Sequence, residues 1–224
     1  MSARHDFYSP IHKGLRLGSS RMLVALGQAD WRNTQSSAEL LFALKTHLVL
    51  AREHLEHEDA EIIPPLRAKA KEMAHVLDHD HEDHYQTFRD LDECIRELEG
   101  APNADQRALC GQSLYIRFST YFADDLAHMA REENEALPLF HALFTDQELM
   151  EMEGRIIASI PPARLTQYYE IMIPGMSPPE RAAFLSYVRA VAPPEAFQHL
   201  YGVAQAALGG DAAKQLDADL AMAA

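Results

Sequence analysis

Two stretches of this 224-residue chain, HLEHEDAEIIP (54–64) and HMAREENEALP (128–138), share the pattern H-x3-E-[DE]-x4-P. A His and a Glu four positions apart lie one turn apart on one face of an α-helix, so each stretch can offer an imidazole nitrogen and a carboxylate oxygen to one point. The repeat reaches further back, since His12 precedes His54 by 42 residues and His84 precedes His128 by 44. Each half therefore reads as an αα-hairpin, with a His on its first helix and a His/Glu pair on its second. Two such hairpins packed antiparallel bring four helices to one interior point.

Start and stop signals support that reading. Ser9-Pro10 reads as N-cap and N1 of a first helix running to about Trp31, with His12 in its first turn. Ser36-x-x-Glu39 is a capping box opening a second helix, with Leu44, His47, Ala51 and His54 on one face and an end near Pro64. A third helix is expected from about Lys69 to Gly100, with His81, His84, Phe88, Leu91, Ile95 and Leu98 forming one inward stripe. Asn103 can cap a fourth, whose inward face reads Leu114, Phe118, Tyr121, Asp125, His128 and Glu132. Beyond Phe144 the histidines all but vanish and Pro-Pro pairs recur. Capping signals at Thr145-x-x-Glu148, Ser177-x-x-Glu180 and Asp211 there mark shorter helices. The expected fold is all-α: an up-down antiparallel four-helix bundle over residues 1–144 and a helical extension over 145–224.

With 34 acidic and 20 basic residues the formal charge is -14, which argues against nucleic acid and anionic membranes as partners and suits cationic ligands. No stretch approaches the roughly 20 apolar residues of a membrane span. Cys94 and Cys110 are the two cysteines and form no CxxC, so neither a disulfide framework nor a cysteine metal site is signalled. The expected setting is the cytoplasm.

A lone H-x3-E pair is ordinarily a solvated i,i+4 contact; two copies on helices with matching single histidines point to metal binding. The zinc-protease pattern H-E-x-x-H is excluded, because His57-Glu58 is followed at the required position by Glu61. His57 and Glu61 form a pair shifted one turn later, but Arg131 and Glu135 do not repeat it, so they read as neighbours of the site or as surface. His75 and His79 fit a solvated face; His5, His141 and His199 carry no signal. His47 and Tyr121 stand seven residues before His54 and His128 and point inward, as a buried hydrogen-bonded pair or as gating groups near the site. Glu56, Asp59 and Glu133 are acidic neighbours that could hydrogen-bond ligating imidazoles, though acidic helix surface is the first reading, and Tyr85 reads as packing. Imidazole with carboxylate and little sulfur suits iron ahead of zinc or manganese.

The arrangement resembles the hemerythrin-like (HHE cation-binding) domains over about residues 7–144, through SPIHKGLR, HLEHEDAEIIPPL, DHDHEDHYQTF and AHMAREENEALPLF. The resemblance implies a non-haem centre of two iron ions, oxo- or hydroxo-bridged, inside the bundle. Carried over by position, His12, His54, His81 and/or His84, and His128 are terminal ligands, and Glu58 and Glu132 are bridging carboxylates. The oxygen carriers of the family place two third-helix histidines four apart, whereas His81 and His84 are three apart. They also place the last carboxylate five residues after its His, which makes Glu133 an alternative to Glu132.

An open iron position would take O2, NO or peroxide. The leading expectation is a protein that senses, stores or carries such a ligand without turnover as its main task. Two alternatives stand beside it. One is a di-iron enzyme acting on NO or peroxide or in iron-sulfur repair. The other is a metal- or redox-responsive module acting through a partner, with the Ala-rich helices of 145–224 completing the core or forming a homodimer.

Overall fold

The structure, a computed structural model, describes residues 4–222. Its regular elements are all helical: α1 (Ser9–Gln28), α2 (Thr34–Glu61), α3 (Ile63–Lys69), α4 (Lys71–Glu99), α5 (Ala104–Arg131), a π-helical turn (Glu132–Ala136), α6 (Leu137–Leu143), α7 (Asp146–Ser159), α8 (Pro162–Gly175), α9 (Pro178–Val191), α10 (Pro194–Leu208) and α11 (Gly210–Met222). The all-α expectation is met, with no strand among the described residues. The described residues divide into two compact units: one made of residues 4–5 and 18–156, the other of 6–17 and 157–222.

The first unit is built on the long helices α2, α4 and α5 and the part of α1 from Gly18 onward. Loops of a few residues join α1 to α2 and α4 to α5, which makes those neighbours antiparallel. Asn33, not Ser36, caps α2: its side-chain oxygen accepts from the Gln35 and Ser36 amides. The helix therefore starts a few residues earlier than the Ser36-x-x-Glu39 signal suggests. Asn103 caps α5 as expected, accepting from the Gln106 amide at 2.9 Å. α1 stops at Gln28, short of Trp31, because Trp31 turns inward in the loop. A methyl group at Gly111 would stand 2.1 Å from the indole, so α5 can pass that ring only at glycine. Buried Arg107 ties the same end together by donating to the carbonyls of Trp31 and Leu98 and to the Ser37 hydroxyl.

At the other end of α2, Pro64 and Pro65 interrupt the ladder and open α3, where the absence of a proline N–H costs nothing in the first turn. Ile62, Ile63 and Leu66 are buried there, so the break is locked by apolar packing. α5 meets Pro138 differently: it passes into the π-helical turn Glu132–Ala136 before α6 begins. Such turns insert an extra residue into the helical ladder and often mark functional positions.

The second unit has its own core of Ile173, Leu185, Leu200, Ala204, Leu216 and Leu220. The segment 6–17 joins it through close backbone contact with α8: a methyl at Gly14 would lie 2.9 Å from Met172 Cα, and one at Gly175 2.7 Å from the Lys13 carbonyl oxygen. Lys13 also forms an ion pair with Glu180. Asp6 caps α1, accepting from the Tyr8 and Ser9 amides, in place of the expected Ser9. The Ser177 capping box is present as read from sequence, and so, in the first unit, is the Thr145 box. Asp211 lies inside α11 and pairs with Lys214; the chain turns into that helix through Gly209 and the helix's first residue, Gly210, both at positive φ.

Candidate metal centre

α2 and α5 deliver the two H-x3-E pairs to the interior of the first unit. His54 and Glu58 occupy consecutive turns near the end of α2, and both are buried. His54 Nε2 lies 3.3 Å from Glu58 Oε1. His128 closes α5 and Glu132 opens the π-helical turn, with His128 Nε2 3.6 Å from Glu132 Oε2. Glu132 is fully buried while Glu133 is only half-buried, so the side chain four residues after His128 is the one turned into the core.

α4 adds His81. One ligand atom each of Glu58, His81, His128 and Glu132 lies within 4.8 Å of the others, and the same holds for His54 with Glu58 and Glu132. Two carboxylates thus stand at the centre of a ring of imidazoles, and all of these side chains are buried. Both oxygens of Glu58 and the Nε2 atoms of His81 and His128 have no hydrogen-bond partner. Burial, and after it the charge of Glu132, pushes the Glu58 carboxyl well above the usual carboxylate range. Unsatisfied buried donors and acceptors in such density are costly, and a bound cation is what satisfies them together.

The outer nitrogens show how the rings are aimed. His81 Nδ1 is 2.7 Å from Asp59 Oδ1, and the Tyr85 hydroxyl donates to the other oxygen of Asp59 at 2.6 Å. Burial works to raise the Asp59 pKa, but the bonds from His81 and Tyr85 outweigh it and the net direction is down. An ionised Asp59 fixes the proton of His81 on Nδ1 and leaves Nε2 bare toward the cluster. His128 repeats the device: its Nδ1 faces Asp80 at 3.4 Å, and Arg131 is bonded to the same carboxylate. Burial lowers the His128 pKa, but Glu132, Asp80 and Asp125 together carry it upward. Carboxylate–imidazole pairs of this kind hold metal-ligating histidines in one tautomer and orientation.

A scan of family models matches residues 10–140 to the hemerythrin HHE cation binding domain. The chain belongs to that family. No curated protein and no solved structure matches it. The hemerythrin HHE domain is a cation-binding one, and the His/Glu groups of the first unit are the chemistry for that task. No helix among the described residues is long and apolar enough to cross a membrane.

The remaining sequence candidates fall in different places. His12 is buried in the first turn of α1, stacked on Tyr8 with ring centroids 5.1 Å apart, in the segment that clusters with the second unit. His84 is buried on α4 beside His128, with ring centroids 4.9 Å apart, and its Nε2 faces Asp125 at 3.8 Å. Glu61 pairs with Arg155, and His79 lies exposed near Asp83. From the sequence, a bond to a ligating imidazole stands only second to surface for Asp59, Tyr85 reads as packing, and nothing is assigned to Asp80 or to Arg131 as a partner of it. Their only signal is adjacency, because Asp59 follows Glu58 and Asp80 precedes His81.

Of the inward pair, His47 is a satisfied core histidine: its Nε2 is 2.8 Å from the Ser19 hydroxyl, and Gly18 leaves the space its ring occupies. Burial lowers its pKa from 6.5 to about 4. The folded state thus favours the neutral ring, whereas the unfolded chain takes up a proton below pH 6.5, so stability is lost as pH falls from 6.5 toward 4. At pH 5 the loss is about 2 kcal/mol. Replacement by Gln, which keeps a partner for Ser19, is expected to flatten that part of the profile in urea unfolding at pH 7 and pH 5; an unchanged acid slope would refute it. Tyr121 differs. Its hydroxyl is buried without a hydrogen-bond partner, against Phe88 and Phe118 at ring separations of 5.3 and 5.6 Å.

Proposed function

We propose that this protein holds two iron ions between His12, His54, His81, His128 and the carboxylates of Glu58 and Glu132, and binds O2, NO or a similar diatomic molecule for sensing, storage or carriage. The observation that carries the reading is the convergence of two buried carboxylates and three imidazoles, with the outer nitrogens of His81 and His128 turned to carboxylates. Nitrogen and carboxylate donors without thiolate suit iron, and two carboxylates inside one ring of histidines suit two ions sharing them. His12 enters by its register. It precedes His54 by 42 residues as His84 precedes His128 by 44, which makes it the histidine of the first helix in the repeat.

When bound, ferrous iron supplies an electron-rich open position at which a diatomic molecule can bind. The chain's own part is to hold the donors and to keep water away. Leu50, Phe88 and Phe118 are buried apolar walls of the bundle, and Tyr121 adds a hydroxyl that can donate to a bound ligand. The expected result is iron at about two ions per chain after anaerobic Fe(II) loading, seen by metal analysis and by anomalous scattering at the iron edge. Exposure to air or NO should then give a new absorption band. Stoichiometric zinc with no oxygen- or NO-dependent spectrum would overturn the assignment.

A further inference from the structure

A cleft of about 290 Å3 opens between α4 and α5, with Asp80, Asp83 and Asp124 toward its mouth and His84, Tyr121 and His128 buried at its base. We propose that this cleft is the path by which a divalent cation reaches the centre, with His84 and Asp125 as the donor pair that receives it on the way. The proposal rests on the reading of Glu58, His81, His128 and Glu132 as the cation's destination.

Three observations carry it. First, His84 Nδ1 is 2.8 Å from the Asp80 carbonyl oxygen, an acceptor only, so Nδ1 is the protonated nitrogen. The neutral ring therefore leaves a bare Nε2 lone pair, buried and without a hydrogen-bond partner. Second, what it faces at 3.8 Å is a carboxylate oxygen, Asp125 Oδ1, and an imidazole nitrogen beside a carboxylate is a donor pair suited to a divalent cation. Third, the His84 ring is in contact with that of His128, whose Nε2 belongs to the central group, so a cation released from His84 meets the next donor directly.

The mouth suits the same traffic. Asp83 and Asp124 are exposed, and the one cation there, Arg131, is engaged with Asp80. Acidic lining in a low-dielectric cleft raises the local cation concentration and the rate of entry. The neighbouring cleft beside Asp59 is lined differently: Arg67 and Arg89 stand among its carboxylates, Arg67 pairs with Asp78 in it, and the His81 nitrogen on that side is already bonded to Asp59, so it offers a cation no bare imidazole nitrogen.

The test is stopped-flow uptake of Co(II) by the metal-free full chain, followed by visible absorption, with equilibrium stoichiometry measured in parallel. His84→Gln and Asp125→Asn are expected to slow uptake about tenfold, and the exposed double change Asp83→Asn/Asp124→Asn about threefold at low salt. All should reach wild-type stoichiometry. Asp78→Asn/Glu82→Gln in the other cleft should leave the rate unchanged. Wild-type rates in the first three variants, or equal slowing from the fourth, would remove the route and leave the centre standing. Loss of stoichiometry in His84→Gln would make it a permanent ligand and overturn the relay. A wild-type chain that takes up no Co(II) would remove centre and route together.

Discussion

Stripping the metal is expected to lower the melting transition of the first unit by about 10 °C, and Glu132→Gln is expected to raise the transition of the metal-free protein while abolishing most of the gain on reloading. The two effects share a cause. Glu58 and Glu132 are buried together, and burial and mutual repulsion already push the Glu58 carboxyl far above its ordinary range. In the metal-free chain the imidazoles are the compensation within reach, at 3.3 to 4.0 Å. A cation binding only the folded state at a thousandfold excess over its Kd contributes about 4 kcal/mol. For a chain of this size each kcal/mol moves the transition by about 2 to 4 °C. A neutral Gln at 132 removes the repulsion without emptying the space, so the metal-free state gains and the loaded state loses a carboxylate donor. Calorimetry with chelator and with anaerobic iron separates the two states. Equal transitions for wild type and Glu132→Gln in both conditions would show that the paired carboxylates are not where the cation acts.

The paired motifs were legible because the period of the helix turns sequence spacing into spatial placement. His54 and Glu58, and His128 and Glu132, had to share a face once the segments were helical, and the structure brings both pairs to one point. The groups that aim them were legible only in part, with Asp59 a secondary reading and Asp80 none. Asp59 follows Glu58 directly, so it is rotated about 100° away on α2. On an isolated helix it is indistinguishable from solvated acidic surface. Only the packing of α4 against that side brings His81 and Tyr85 to it, across 22 and 26 residues. Asp80 and Arg131 meet across 51 residues for the same reason. The choice between Glu132 and Glu133 also waited on the structure, since the π-helical turn that begins there has no marker in composition or period. Asn33 over Ser36 is a smaller case, in which two good cap formers compete and the loop from Trp31 decides.

His54→Ala and His128→Ala should each cost more than a hundredfold in iron affinity, Asp59→Ala about ten- to a hundredfold, and His57→Ala nothing measurable. The order follows from what each side chain does to the central group. His54 and His128 each supply a buried nitrogen to a carboxylate of the pair, and an alanine leaves both a missing donor and a cavity that no neighbour fills. Asp59 touches none of the central carboxylates in this way; it holds His81 by the outer nitrogen. Without it the ring is free to rotate and to exchange tautomers, and Tyr85 loses its acceptor. His57 is one position from His54's partner Glu58 in sequence but lies half-buried on another side of α2, outside the group. Competition titrations against a chelator give all four affinities on one scale, and far-ultraviolet circular dichroism checks that the helices persist. Full iron retention in His54→Ala, or a loss in His57→Ala equal to that in His54→Ala, would place the ligand face of α2 one turn away from where Glu58 now points. An affinity in Asp59→Ala as low as in His128→Ala would instead make the carboxylate itself a ligand, and His81 its dependent.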